Sequence, residues 1–471
     1  MQSIKCDLLI IGAGSGGLSL AAGASQMGAD VVLLEAHKMG GDCLNYGCVP
    51  SKALLASGHM AHAQAHGAAF GIADHAPQVD YAAAKGHVQE VIDTIAPVDS
   101  QERFEGFGVR VIREQGRFVG PSEVEAGETR ITARRIVVAT GSSPFVPSIP
   151  GLEDVPYLTN ETLWELKERP AHLIVIGGGP IGMEMAQAHR RLGSKVTVLE
   201  AQGALGRDDP EAAAFVLERL RGEGIDIREH TAAQAVRQEA GQIVVQTSAG
   251  TVSGSHLLVA VGRKPNIDAL NLAAAGVDVT RAGIKVGPDL RSSNSKVYAI
   301  GDVAGQGQFT HLAGYHASVI IRSLLFALPA KAKGDHIPRA TYTDPEIAQV
   351  GLTEAEAREK YEGRLEVARF DYGHNDRAIA TRQAHGFIKV MVVRGRPVGA
   401  TIAGHQAGEL IATWSLAIAN AMKMSQIAAM VAPYPTIAEL NKRVAGAYFS
   451  PRLFENSGIK RVVRLVQRWL P

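Results

Sequence analysis

Aromatic residues are scarce, at 5% of the chain, and cysteines number only three. Neither sign of charge dominates, with Lys+Arg 48 against Asp+Glu 47. Each shortage excludes something. Three cysteines cannot build a disulfide framework for 471 residues, so a reducing compartment, the cytoplasm, is the expectation. A net charge of +1 lacks the basic excess that marks a nucleic-acid-binding surface. No apolar run reaches the roughly 18 residues of a membrane span. Met1 to Asp7 carries neither the apolar core nor the cleavage site of a signal peptide. Hydrophobic residues at 46% and charged residues at 20% exclude wholesale disorder. Glycine is the abundant residue, 51 in all, and it is clustered rather than scattered. At roughly 150 residues per domain, the length predicts about three domains of a soluble α/β protein.

The glycine clusters punctuate a repeated pattern. The run Asp7-Leu-Leu-Ile-Ile meets Gly12-Ala-Gly14-Ser-Gly16-Gly17, and an Ala-rich helical stretch follows. A second apolar run, Val31-Val-Leu-Leu, ends in Glu35. Near residue 170 the pattern returns: Leu173-Ile-Val-Ile, Gly177-Gly-Gly179-Pro-Ile-Gly182, a helix, then Val196-Thr-Val-Leu and Glu200. From Gly12 to Glu35 is 23 positions, and from Gly177 to Glu200 is also 23. The chain therefore carries two copies of one βαβ unit.

A lone G-x-G-x-x-G is weak, because a glycine-rich turn in a parallel sheet can bind nothing. Here each copy follows a strand, opens a helix and has its acid at the end of the next strand, which is the context of a dinucleotide site. Gly12 and Gly177 permit the tight turn, Gly14 and Gly179 admit pyrophosphate, and Gly17 and Gly182 let helix and sheet approach. Glu35 and Glu200 can accept from ribose hydroxyls. Two dinucleotides are the reading. A carboxylate at 200 suits a free 2′-hydroxyl and so favours NADH over NADPH, with Arg207 as a cation that could oppose that preference.

Between the copies, Arg135-Ile-Val-Val-Ala-Thr140-Gly141 reads as a buried strand running into a glycine turn. Leu257-Leu-Val-Ala-Val-Gly262-Arg263 repeats it, and Lys296-Val-Tyr-Ala-Ile-Gly301-Asp302 ends a third such strand. After the first nucleotide unit comes Gly40-Gly41-Asp42-Cys43-Leu-Asn-Tyr-Gly-Cys48-Val-Pro50-Ser51-Lys52. No second cysteine or histidine pair stands nearby at zinc spacing, so a metal site is a poor reading and none is assigned. Two inert core cysteines fit badly in so polar and glycine-rich a segment. Lys52 and a helix start would both stabilise thiolate. A redox-active pair is the economical interpretation.

With two nucleotide units and that cysteine motif, the sequence resembles the flavoprotein disulfide reductases, the family of dihydrolipoamide dehydrogenase, glutathione reductase and mercuric reductase. The resemblance runs from residue 4 to about residue 449. It implies two Rossmann-like dinucleotide-binding domains, for FAD and NAD, plus a C-terminal α+β dimerisation domain in a homodimer. The corresponding segments are 1–150 (FAD, with the redox disulfide), 151–270 (NAD), 271–338 (a return to the FAD domain), 339–450 (dimer interface) and 451–471 (a basic tail). It implies that Gly12, Gly14, Gly17, Glu35, Gly41, Thr140, Gly141 and Asp302 hold FAD, and that Gly177, Gly179, Gly182, Glu200 and Gly262 hold NAD. Cys48 would face the flavin, Cys43 would attack the substrate, and Lys52 with Glu184 would sit near the flavin N5. The implied activity passes electrons between NADH, FAD, the Cys43–Cys48 disulfide and a small or protein-bound dithiol or disulfide.

One departure bears on the substrate. The family's His-Pro-Thr-x-x-Glu motif reads Tyr434-Pro-Thr-Ile-Ala-Glu439 here. An unperturbed phenol titrates near 10 against roughly 6.5 for imidazole, so Tyr434 is a poor base at neutral pH. Mercuric reductases share a tyrosine there, which keeps a metal-ion reductase as an alternative. The cysteine pair such enzymes use near the C-terminus is missing, since nothing after Cys48 is cysteine. A non-catalytic flavin-binding sensor or docking protein is the reading from another class. His59, His62 and His66 share a helical face and are read as solvated, and Cys6 as a core residue. In the tail, Lys460, Arg464 and Arg468 recur opposite Ile459, Val462, Val463, Val466, Trp469 and Leu470, a basic amphipathic helix. It would dock on its own dimer, on a partner, or on a membrane surface.

Overall fold

The computed structural model describes residues 1–470 and divides into two compact units. The first comprises Met1–Gln202 and Ile225–Lys333; the second comprises Gly203–Gly224 and Gly334–Pro471.

In the first unit the strand Gln2–Ile11 pairs in parallel with Val31–Leu34 on one side and with Thr129–Val138 on the other. The parallel sheet extends to Arg110–Ile112 at one edge and to Val297–Ala299 at the other. Leu9, Ile10, Val32, Leu33, Ile136, Val137 and Val138 are buried in its interior. That is why these strands read as continuous aliphatic runs rather than alternating ones: both faces are covered. The near end of Thr129–Val138 also pairs antiparallel with Glu123–Ala126, which pairs with Gly116–Gly120.

The second βαβ copy forms its own parallel sheet, in the order Asp226–Arg228, Lys195–Leu199, His172–Ile176, His256–Val259. A three-stranded antiparallel sheet, Ala233–Glu239, Gln242–Thr247 and Gly250–Gly254, interrupts it before the last strand. The two doubly wound sheets agree with the α/β class expected for dinucleotide binding.

The second unit is built on an antiparallel sheet in the order Arg339–Thr341, Glu346–Gly351, Arg396–Gly404, Gly386–Val393, Leu365–Asp371. The helices Ala407–Ala419 and Glu439–Phe454 share its core, where Trp414 is fully buried and donates Nε1–H to Asn441 Oδ1 at 2.7 Å. The helix Pro210–Gly222 groups here as well. Its N-cap Asp209 pairs with the buried Lys389 at 2.9 Å, and Lys389 also reaches Glu211 at 3.0 Å and Glu354 at 3.1 Å. A buried ammonium needs such compensation, because an isolated charge out of water is expensive.

Candidate active site

The two nucleotide turns match at the level of single atoms. Gly12 and Gly177 adopt φ +109° and +111°. A Cβ on Gly12 would meet the Ala139 carbonyl oxygen at 2.5 Å, and one on Gly177 would meet that of Ala260 at 2.4 Å. Gly14 and Gly179 each cap their helix in extended conformation with no side-chain cap, so the first N–H groups of Ser15–Gln26 and Pro180–Arg191 remain available to an anion. Further along, a Cβ on Gly17 or Gly182 would fall 1.9 or 2.0 Å from the carbonyl oxygen of Gly12 or Gly177. No side chain fits there.

The acids repeat too. Glu35 accepts from Ala13 N–H and His37 N–H, both at 2.7 Å. Glu200 accepts from Gly178 N–H at 2.7 Å and Gln202 N–H at 2.8 Å. Each carboxylate is thus held rigidly at the end of its strand, with lone pairs left over for ribose hydroxyls. Both cradles fit the dinucleotides expected of them. Gly41 lies against the first turn: a Cβ there would sit 2.7 Å from Gly14 Cα. Gly262 follows the second, with φ +135°, and its carbonyl accepts from Phe145 N–H at 2.9 Å.

The cysteines sit on two helices rather than one. Gly41–Asn45 ends before Tyr46, and Gly47, in a non-helical conformation, starts the turn into Cys48–Ala65. This break supplies the distortion that two sulfurs five residues apart require. Cys43 and Cys48 are both free thiols, Cys43 half-buried and Cys48 exposed. The hydrogen bond with Cys43, helped by Thr310 and the charge of Lys52, lowers the Cys48 thiol to about 6, while Cys43 is pushed up by the same bond. Thr310 Oγ1 lies 3.4 Å from Cys48 Sγ. An unperturbed thiol titrates at roughly 8.5. A folded-state value below that keeps the thiolate present at neutral pH and loses it only as the pH falls through about 6. The resemblance places a flavin against Cys48, and on that expectation the long-wavelength thiolate–flavin absorbance of the dithiol form should fade with a midpoint near 6. A midpoint near 8.5 would show that Cys43 and Thr310 do not stabilise the thiolate.

Lys52 and Glu184, paired only by the family resemblance, are joined at 2.8 Å, with Glu184 buried. Asp302 is half-buried and pushed upward by desolvation, partly offset by the Ser142 hydroxyl donating to it at 2.6 Å. Thr140 Oγ1 donates to the Asn266 carbonyl at 2.7 Å, which tethers the Thr140–Gly141 turn.

Sequence reasoning passed over Arg263. Its Nε donates to Ser142 Oγ at 2.7 Å, and its guanidinium pairs with Asp42 at 3.0 Å. It thereby ties the residue before Cys43 to the hydroxyl that serves Asp302. Its place directly after Gly262 was the available signal. Also unforeseen is a cavity of about 390 Å³ beside Cys43, lined by Ser15, Leu18, Ile95, Asp99, Arg103 and Thr310 among others.

In the second unit, Tyr434 is exposed and its hydroxyl donates to Asp376 Oδ2 at 2.8 Å. That bond raises the phenol's pKa further from neutrality. Glu439, which the motif assigns to orienting residue 434, pairs with Arg443 at 2.8 Å, so the phenol's partner is a different acid. His62 and His66 stack with ring centroids 4.0 Å apart, and no metal-binding cluster of three or more His, Cys, Asp or Glu occurs among the described residues. Cys6 is half-buried in its strand, its thiol pushed up to about 12 by burial. No helix among the described residues is long and apolar enough to cross a membrane.

Two nucleotide cradles and a polarised dithiol define a nucleotide-linked thiol oxidoreductase. Residues 6–317 match the pyridine nucleotide-disulphide oxidoreductase family, and residues 337–445 match that family's dimerisation domain. The chain belongs to this family of FAD- and NAD(P)H-dependent flavoproteins. It is similar to a mercuric reductase of Lysinibacillus sphaericus, 35% identical over 443 residues, covering 92% of this chain and 81% of the relative. A mercuric reductase of Acidithiobacillus ferrooxidans is 35% identical over 458 residues, with 94% and 83% covered. Among solved structures, a Cu(II) complex of the HOCl-induced flavoprotein disulfide reductase RclA from Escherichia coli superposes with a TM-score of 0.84. It has 26% identity, with 93% of this chain and 99% of that one covered.

Proposed function

We propose that this chain is a homodimeric, cytoplasmic oxidoreductase that passes two electrons from NADH, through bound FAD, to the Cys43–Cys48 disulfide and on to a disulfide acceptor. When bound, FAD supplies the step between hydride and electron-pair chemistry. The chain's residues supply the rest. Glu200, held by two backbone donors, supports NADH, because a fixed carboxylate repels a 2′-phosphate. Gly12, Gly14, Gly17, Glu35, Gly41 and Asp302 cradle FAD. The Lys52–Glu184 pair fixes an ammonium on the helix that Cys48 opens, one turn from that cysteine.

At the acceptor, Cys43 passes its proton to the Cys48 thiolate and attacks one sulfur of the substrate disulfide; the other sulfur leaves, taking that proton from Cys48 to become a thiol and returning Cys48 to thiolate. Cys48 then attacks Cys43, the enzyme disulfide re-forms and the second substrate thiol departs. The single observation supporting this reading is the Cys43–Cys48 segment folded so that Thr310 Oγ1 lies 3.4 Å from Cys48 Sγ and a cavity of about 390 Å³ opens against Cys43.

A metal-ion reductase is the second reading, supported by Tyr434 in place of the family's histidine and by the mercuric reductase relatives. A panel of acceptors separates the two: lipoamide, small disulfides and Hg²⁺, read by NADH loss. Turnover of disulfides at rates exceeding Hg²⁺ supports the first; the reverse order supports the second. Tyr434→Phe should leave disulfide turnover at neutral pH within about threefold of wild type, since a raised phenol is no base there. A hundredfold fall would show that the phenol moves a proton after all.

A further inference from the structure

The last described helix, Ser457–Trp469, buries none of its residues. Its side chains nevertheless sort sharply. At 100° per residue, Ile459, Val462, Val463, Leu465, Val466 and Trp469 fill one arc, and Lys460, Arg461, Arg464 and Arg468 fill the other. The segment contains no acidic residue. Its N-terminus is finished independently of the rest of the chain: Asn456 Oδ1 accepts from Gly458 N–H at 2.9 Å and Ile459 N–H at 3.1 Å. Trp469 is 76% exposed and Val462 59%. Water is a poor solvent for such a face, and it lies beyond residue 445, where the match to the dimerisation domain ends.

We propose that this helix seats the enzyme on an anionic lipid bilayer surface. The charge distribution selects that occupant. Four cations and no anions fall on thirteen residues, while the remaining chain has 44 Lys+Arg against 47 Asp+Glu, obtained by taking these four from 48. The positive field is therefore local to the helix, and it complements lipid phosphates. The apolar arc has the form that lies in the interface plane, aliphatic along its length with an indole at one end, where an amphipathic ring sits at headgroup level. Thirteen residues at about 1.5 Å rise give a rod of roughly 20 Å. That is long enough to lie on the surface and too short to span it. The flavoprotein would then act beside the membrane, where a lipid-dissolved or membrane-protein disulfide is within reach.

The test uses the full-length holoprotein with two kinds of vesicle, phosphatidylcholine alone and phosphatidylcholine mixed with phosphatidylglycerol, read by yellow protein in the pellet. The mixed vesicles should carry down at least tenfold more protein, and raising the salt to about 0.5 M should release it. The double change Arg464→Glu and Arg468→Glu, and separately Val463→Asp, should each lower binding at least tenfold while NADH oxidation is unchanged. Trp469 emission should shift to the blue on mixed vesicles, and Trp469→Phe should remove that shift. No binding to the mixed vesicles, or equal binding to both kinds, would overturn the proposal. So would a Val463→Asp variant that lowers the oligomer mass and leaves vesicle binding intact, which would assign the face to a second copy of the chain.

Discussion

Replacing Cys43 by serine is expected to lower acceptor turnover by roughly 10³-fold or more, while reduction of the flavin by NADH proceeds at its normal rate. Cys43 is the sulfur against the cavity of about 390 Å³, and serine cannot form the mixed disulfide that carries electrons out. The neighbour should respond as well. The first cause of Cys48's depressed pKa is its hydrogen bond with Cys43. A serine hydroxyl can still donate there, so the thiolate–flavin absorbance should persist in Cys43→Ser and vanish in Cys48→Ser. Stopped-flow reduction separates the two half-reactions. Should Cys43→Ser retain more than a tenth of wild-type turnover with every acceptor, the outgoing path does not run through this pair.

The second large effect falls on the nicotinamide side. Gly182→Val places a Cβ where the Gly177 carbonyl oxygen already lies, 2.0 Å away, so the turn must open or the helix Pro180–Arg191 must move off its strand. Either shift removes the first N–H groups of that helix from the pyrophosphate. Flavin reduction by NADH should fall at least a hundredfold, whereas the protein should remain yellow, since the first cradle is untouched. The same change at Gly17, where the oxygen lies 1.9 Å away, should do the reverse and yield protein without flavin. If Gly182→Val instead lost its flavin while NADH binding survived, the assignment of the two cradles would be exchanged.

Much of this was readable in the chain because it is local. The glycine turns, the acids at equal spacing and the Cys43–Cys48 segment each lie within a few dozen residues, and their chemistry follows from residue type. Lys52 and Glu184 came from the family resemblance, and their 2.8 Å contact agrees with it. The parts not readable depend on chain closure over long separations. Thr310 reaches Cys48 across 262 positions, and Arg263 reaches Ser142 across 121. No periodicity signals either contact. Tyr434 stood out as a departure, yet its partner Asp376, 58 positions earlier, replaced the motif glutamate without any sign in the local sequence. The helix Pro210–Gly222 follows the second nucleotide unit in sequence but joins the other compact unit, because its charged N-terminus compensates Lys389, some 180 positions on.

The central claim is that electrons from NADH arrive at the Cys43–Cys48 pair. Counting thiols tests it directly. The chain has three cysteines, and Cys6 is half-buried in the strand Gln2–Ile11, outside the Cys43–Cys48 segment. Holoprotein in its oxidised form, denatured and treated with a thiol reagent, should show one reactive thiol; the same protein reduced anaerobically with NADH and then denatured should show all three. A count that does not change on adding NADH, with the flavin bleached, would mean that the electrons stop before the cysteines.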